Sequence, residues 1–323
     1  MLTIADFEAA AEVVYRRLAP TPQMAWPLLE AAVGAPVWVK HENHLMTGAF
    51  KARGGLVYVD RLLRERPQVS GVVSATRGNH GQSIAHAVRG TGLGCAIVVP
   101  HGNSVEKNAA MRAFGAELVE HGRDFDEARE RAVAIAAERG WEMVPSFHRD
   151  LVAGVGTYAV ELLRAVPDLD RVYVPIGLGS GICGLIAARD ALGLKTEIVG
   201  VVSENAVCYR LSFEAGRPVS TNTATTFADG MAVRVPSPEA FAIIKAGAAG
   251  IVTVSDAAVA EAMRLLYATT HNIAEGAGAA ALAALMADRD RLEGRRTAVI
   301  LSGGNVDRPW YRTVLDGGTP LPG

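Results

Sequence analysis

Cysteine is scarce in this chain of 323 residues. Cys95, Cys183 and Cys208 stand far apart, with no CxxC pair among them. That excludes a disulfide scaffold and a cysteine zinc site, and fits a reducing cytoplasm. Aromatic residues are few, at 6%. Neither charge dominates: 32 Lys and Arg against 34 Asp and Glu leave a formal −2. There is no basic footprint for nucleic acid and no polybasic signal for a membrane. Long hydrophobic runs are missing too. The greasiest stretch, 277–286, is too short to span a bilayer and reads as a buried helix. Asp6 and Glu8 fall where a secretory signal needs positive charge followed by an apolar region, so no signal is expected. No repeat or low-complexity linker interrupts the chain.

What is present is a folded composition: half the residues hydrophobic, a fifth charged. One or two domains are expected. Short apolar runs recur: 37–40, 71–76, 94–100, 116–122, 142–146, 171–177, 196–203 and 297–304. Amphipathic segments lie between them, which argues for α/β units and parallel sheets. The expected architecture is two three-layer α/β domains with mostly parallel sheets and a ligand cleft between them. A compact βαβ rhythm at 70–148 marks a small domain, leaving 1–69 and 149–323 for a large one.

Glycine is the surplus residue, 34 in all, above the usual share of about 7%. The excess gathers where ligands bind in parallel sheets, beyond the strands' carboxyl ends. SATRGNHGQ (74–82), PIGLGSGICG (175–184) and LSGGNVD (301–307) each follow a strand-like run. In the second, Gly177, Gly179, Gly181 and Gly184 precede a helical pattern. Backbone N–H groups at such a helix start form an anion site. Residues 179–184 also read G-x-G-x-x-G, and Glu204 follows at the next strand end, so a nicotinamide-binding unit is a rival reading. A fourth segment, TGAFKARGG (47–55), carries Lys51. A lone lysine is ordinarily a solvated surface charge. Set among small and apolar residues, it can lose basicity and act as an amine nucleophile or base. A phosphate cradle with one such lysine points to pyridoxal 5′-phosphate held as a Schiff base.

Together these segments resemble the pyridoxal-phosphate enzymes of the tryptophan-synthase-β type (fold type II), and within them the threonine/serine dehydratase and serine racemase family. The resemblance rests on an ordered set: Thr21-Pro22, KHENHLMTGAFKARGG, SATRGNHGQ, the glycine loop, FADG (227–230), EGAGA (275–279) and LSGGNVD. It implies that Lys51 carries the cofactor and is the catalytic residue. Phe50 would pack beside the cofactor, and Asn79 would bond its ring hydroxyl. Gly177, Leu178, Gly179, Ser180 and Gly181 would cradle its phosphate, and Ser302 would face the pyridine nitrogen. Asp229, Gly230 and Glu275 would border the site. Thr76, Asn79 and His80 would meet the substrate carboxylate. The implied reaction is α,β-elimination of water from a β-hydroxy amino acid such as L-threonine or L-serine, after which the released enamine hydrolyses to a 2-oxo acid and ammonia. The implied setting is a cytoplasmic homodimer.

Several positions depart from the family pattern. Arg77 stands where relatives carry Ser or Ala. Its guanidinium rarely gives up a proton, which disfavours racemisation, but it suits a substrate carboxylate. Either it binds one or it points to solvent. Val202 and Cys208 occupy positions where relatives' carboxylates hold a cation, so no metal is expected. Leu178 and Ser180 interrupt the glycine run. Leu178 there is expected to need a permissive backbone angle, and Ser180 offers the phosphate a hydroxyl. His41 and His44 read as ordinary surface or supporting residues, and His148 and Arg149 as possible pocket liners. No regulatory domain is expected after LSGGN. The alternatives are a 3-hydroxyaspartate or bulkier β-hydroxy amino acid dehydratase, a racemase, a nicotinamide-dependent dehydrogenase and a silent amino-acid-binding protein.

Overall fold

The computed structural model describes residues 2–292 and 294–321. Its strands are β1 (Gln23–Ala25), β2 (Val37–His41), β3 (Gly71–Ala75), β4 (Gly94–Val99), β5 (Glu117–Glu120), β6 (Glu142–Met143), β7 (Arg171–Pro175), β8 (Glu197–Ser203), β9 (Gly250–Val254) and β10 (Thr297–Leu301). Its helices are α1 (Ile4–Val14), α2 (Pro27–Val33), α3 (Lys51–Glu65), α4 (Asn79–Val88), α5 (Val105–Ala113), α6 (Phe125–Arg139), α7 (Arg149–Ala165), α8 (Ser180–Ala191), α9 (Cys208–Ala215), α10 (Pro238–Gly247), α11 (Asp256–Thr270), α12 (Gly276–Ala287) and α13 (Arg308–Leu315).

The strands form two sheets, β1-β2-β10-β7-β8-β9 and β5-β4-β3-β6. Every pairing is parallel except β1 with β2. The expected α/β class with mostly parallel sheets is what the chain adopts. Two strands lie beyond those read from the sequence. β1 has only three residues and no alternation to betray it. β9 is an edge strand that follows the small residues AGAAG, which blur its start.

Side chains alternate along the strands, so successive residues serve opposite faces. In β10, Ala298 and Ile300 pack with α7 and α8, while Val299 and Leu301 pack with α11 and α12. Both faces are covered, which explains why these strands read as unbroken apolar runs. α12 is buried along nearly its whole length behind the large sheet. The small sheet repeats the pattern. Val73, Ala75, Ala96 and Val98 face α6, whereas Val72, Ile97 and Val99 face a cluster that also contains Ala10 of α1 and Ala52, Leu56 and Val59 of α3. The small sheet thus shares a core with helices from outside the segment 70–148. No described helix is long and apolar enough to cross a membrane.

Candidate active site

Four segments converge at the carboxyl ends of the two sheets. The first is the start of α3. The backbone N–H of Phe50 donates to Ser302 O at 3.0 Å, and Ala49 bridges Gly303, so the end of β10 fixes where α3 begins. Lys51 is the first residue of that helix. Its amine donates to Ser180 Oγ at 3.0 Å and lies 4.9 Å from the centre of the Phe50 ring. Burial lowers the Lys51 pKa to about 8, although Glu275 pulls it upward. A substantial neutral fraction at neutral pH is what an amine nucleophile needs.

The second segment is the glycine loop. Gly179 caps α8 in the left-handed region, with φ 106°. An added Cβ there would also press Ala240 Cβ at 2.7 Å. Leu178 does not take a left-handed angle: among the described residues only Asp168 and His271 do so without being glycine. The expectation for Leu178 is therefore corrected, since the next residue carries the turn. A Cβ on Gly177 would overlap Gly230 O, which brings the FADG segment against the loop. Gly181, in the first turn of α8, faces the Phe50 ring. Ser180 Oγ accepts from the Lys51 amine, which leaves its own O–H free to donate. With α8 behind it, the loop presents N–H groups at a helix N-terminus, where negative charge is favoured.

The third segment follows β3. Thr76 is buried, and its Oγ1 accepts the N–H groups of Gly78 and Gly81, which holds the turn into α4. Asn79 donates to Glu275 Oε1 at 2.7 Å and accepts from Asn305 Nδ2 at 2.8 Å. His80 is buried, and its Nε2 has no partner. Burial, with Lys51 nearby, lowers its pKa to about 3, so the ring is neutral. Arg77 is the residue the structure does not bring in. It is exposed and makes no hydrogen bond or ion pair among the described residues.

The fourth segment opens α12. Glu275 is buried, and desolvation raises its pKa to about 7; Lys107 pulls it down and Asp229 pushes it up. Its Oε2 faces Lys107 Nζ at 3.5 Å but takes no hydrogen bond. Ser302 is buried at the end of β10.

Sequence reasoning missed Lys107. It crosses from α5 to bind Asp229 Oδ2 at 2.6 Å. Burial lowers its pKa, but Asp229 and Glu275 outweigh this and hold it charged. In VEKNAA it looks like any solvated helix lysine; only the Ser104 cap before it signals the local structure. Asn305 was missed too, though it lies inside LSGGNVD. Two suggestions fail. His148 caps α7 by accepting from Asp150 N and meets Tyr58 edge to face, and Arg149 pairs with Asp6, so both are turned to partners outside the four segments. His41 is not a surface residue: it is buried, and Trp26 Nε1 donates to its Nε2 at 3.0 Å.

The arrangement fits an aldehyde cofactor with a phosphate arm. An amine of lowered basicity sits beside an aromatic ring. An anion cradle stands one side chain away. His80 Nε2 is a buried polar atom without a partner among the described residues, open to a ligand. A site so built defines the class of enzymes that work through a lysine-bound pyridoxal cofactor. Residues 14–303 match the family model described as pyridoxal-phosphate dependent enzyme, and the chain belongs to that family. It is 34% identical to the biosynthetic L-threonine dehydratase IlvA of Salmonella typhimurium over 94% of its own length and 59% of that protein's. It thus spans about three fifths of that relative. It is 32% identical to L-threo-3-hydroxyaspartate ammonia-lyase of Saccharomyces cerevisiae over 98% of this chain and 97% of the other. The structure of processed threonine deaminase isoform 2 from Solanum lycopersicum superposes with a TM-score of 0.91 at 29% identity, covering 97% of this chain and 92% of that one.

Proposed function

We propose that this protein is an ammonia-lyase that removes water from a β-hydroxy amino acid and releases a 2-oxo acid and ammonia. The observation that carries the reading is the Lys51 amine, lowered to about 8, held against the glycine loop through Ser180. Bound through Lys51, pyridoxal phosphate supplies an electron sink that labilises bonds at the substrate's Cα. The residues do the rest. Lys51, once free, takes the Cα proton as general base. The β-hydroxyl then takes up a proton and departs as water, and the released enamine is hydrolysed by water to the 2-oxo acid and ammonia. Gly177, Leu178, Gly179, Ser180 and Gly181 would hold the phosphate through main-chain N–H groups, and Phe50 would flank the ring. Asn79, with its own orientation set by Glu275 and Asn305, would bond the ring hydroxyl. Ser302 would face the pyridine nitrogen. A hydroxyl there would not hold that nitrogen protonated as a carboxylate would, which favours prompt loss of a β-leaving group. Thr76, Asn79 and His80 frame the substrate's α-carboxylate. The cofactor would lie in the cleft between the small domain, 70–148, and the remainder.

L-Threonine and L-serine are the first substrates on this reading. A second reading, a substrate with an acidic side chain such as 3-hydroxyaspartate, is supported by the likeness to L-threo-3-hydroxyaspartate ammonia-lyase; Arg77, exposed outside the converged site, would have to turn inward to pair with the extra carboxylate. Three free, buried cysteines support work in a reducing cytoplasm, and we take the working form to be a homodimer. The test is 2-oxo acid release from a panel of threonine, serine and 3-hydroxyaspartate by the wild type and Arg77→Ala. Loss confined to 3-hydroxyaspartate supports the second reading. An unchanged profile removes Arg77 from specificity. No turnover of any of the three rejects the lyase assignment.

A further inference from the structure

The loop 177–181 is held from outside by two buried tyrosines. Tyr158 of α7 donates to Gly181 O at 3.0 Å. Tyr209 of α9 donates to Leu178 O at 2.9 Å and accepts the N–H of Ser237 at 3.1 Å. Ser237 is the residue that caps α10. The Tyr209 hydroxyl therefore uses both its donor and its acceptor, and ties α9, the start of α10 and the loop at one point. Ala240 of α10 packs on the same side of Gly179.

The two bonds differ in consequence. Gly181 lies inside α8, where its carbonyl also receives the amide four residues on. Leu178 lies before the helix, and among the described residues its carbonyl accepts from Tyr209 alone. In a trans peptide, C=O and N–H point in opposite directions, and no described peptide is cis. Holding Leu178 O against the Tyr209 hydroxyl of α9 turns the Gly179 N–H away from that helix. The loop carries a leucine at 178, and its peptide needs an external anchor.

We propose that Tyr209 is a positioning residue for the phosphate cradle: it sets the orientation of the 178–179 peptide and so the affinity for the phosphate of the ligand. This rests on reading the loop as the cofactor's phosphate site. Burial holds the Tyr209 hydroxyl well above its ordinary pKa, so it stays a donor across the working range.

The test compares two ligands that differ only in the phosphate. The full chain, stripped of cofactor, is titrated with pyridoxal 5′-phosphate and with pyridoxal, each followed by the absorbance of the lysine-bound form. In Tyr209→Phe the affinity for the phosphorylated ligand falls about tenfold, the effect of losing one well-aimed hydrogen bond to a charged group. Pyridoxal affinity stays unchanged, because it reports Lys51 alone. The phosphorus resonance of the bound phosphate moves as well. Tyr158→Phe, which removes an equivalent buried hydroxyl, leaves the ratio of the two affinities at the wild-type value. An unchanged ratio in Tyr209→Phe, or an equal loss for both ligands, overturns the proposal. A wild type that does not prefer the phosphorylated ligand overturns the reading of the loop itself.

Discussion

Replacing Arg53 by methionine removes the centre of a buried charge cluster two residues along α3 from Lys51. Arg53 is two residues after Lys51 on α3 and fully buried. Its Nε donates to Glu42 Oε2 at 2.8 Å, and its Nη1 to Glu161 Oε1 at 2.6 Å and Thr157 Oγ1 at 2.9 Å. Its Nη2 reaches Glu42 Oε1 and Glu161 Oε2, each at 3.0 Å. Lys40, also buried, donates to Glu161 Oε2 at 2.5 Å. Two cations thus balance two carboxylates. The substitution leaves two carboxylates facing one ammonium. Breaking a buried pair on one side costs about 3–5 kcal/mol. With an unfolding entropy of about 2 cal/mol/K per residue, a chain of this size should melt about 4–7 °C lower.

The pH dependence has a definite sign. In the wild type, burial pushes Glu161 up, but Arg53 and Lys40 outweigh this and hold its pKa below the ordinary value. That stability is present above the unfolded pKa and is lost as pH falls through the folded one. In Arg53→Met, one of the two carboxylates takes a raised pKa. The folded variant then binds a proton that the unfolded chain releases, so its stability falls as pH rises. The deficit should be smaller at pH 5 than at pH 8. Adding Glu42→Gln should restore more than half of it. Calorimetric melts of the three proteins across that range provide the assay. A melting point within about 1 °C of wild type at pH 8, or a deficit that grows toward acid, would refute the reasoning.

Three other outcomes are expected. Lys107→Met removes the cation 3.5 Å from Glu275, so the Glu275 titration near 7 should climb by about 1–3 units; the matching limb of the pH–rate profile should move to higher pH, and a fixed limb would contradict the pairing. Gly179→Ala forces a side chain into a left-handed angle and against Ala240, at about 1–3 kcal/mol; it should weaken cofactor binding about tenfold or more, and unaltered binding would sink the cradle geometry. The Lys51 amine of the cofactor-free chain should be acylated with an inflection near pH 8, whereas an inflection at an ordinary lysine pKa would show that burial does not tune it.

The fold was legible where both faces of a strand are buried. β10 and β8 announce themselves as apolar runs, and the glycine loops mark their carboxyl ends. β1 was not legible, because three residues carry no period. The site's lysine could be picked out because small residues surround it in sequence. Lys107 could not: its ordinary helical neighbours hide a burial that comes from Asp229 and Glu275, both more than a hundred residues away. Tyr209 was hidden for the same reason, since its hydroxyl serves a carbonyl in a distant loop. Leu178 shows the limit from the other side. The sequence flags it as a break in a glycine run, but only the backbone reveals that Gly179 takes the strained angle and Leu178 is spared.

The central claim is that Lys51 alone carries the cofactor. The chain has five lysines: Lys40, Lys51, Lys107, Lys195 and Lys245. Two of the others, Lys40 and Lys107, are buried in ion pairs. Borohydride reduction of the pyridoxal-phosphate-loaded protein, followed by proteolysis and mass mapping, fixes the attachment point. The account predicts one pyridoxyl group per chain, on the peptide containing Lys51, with turnover lost on reduction. A label on another lysine, or no label with turnover retained, would contradict it.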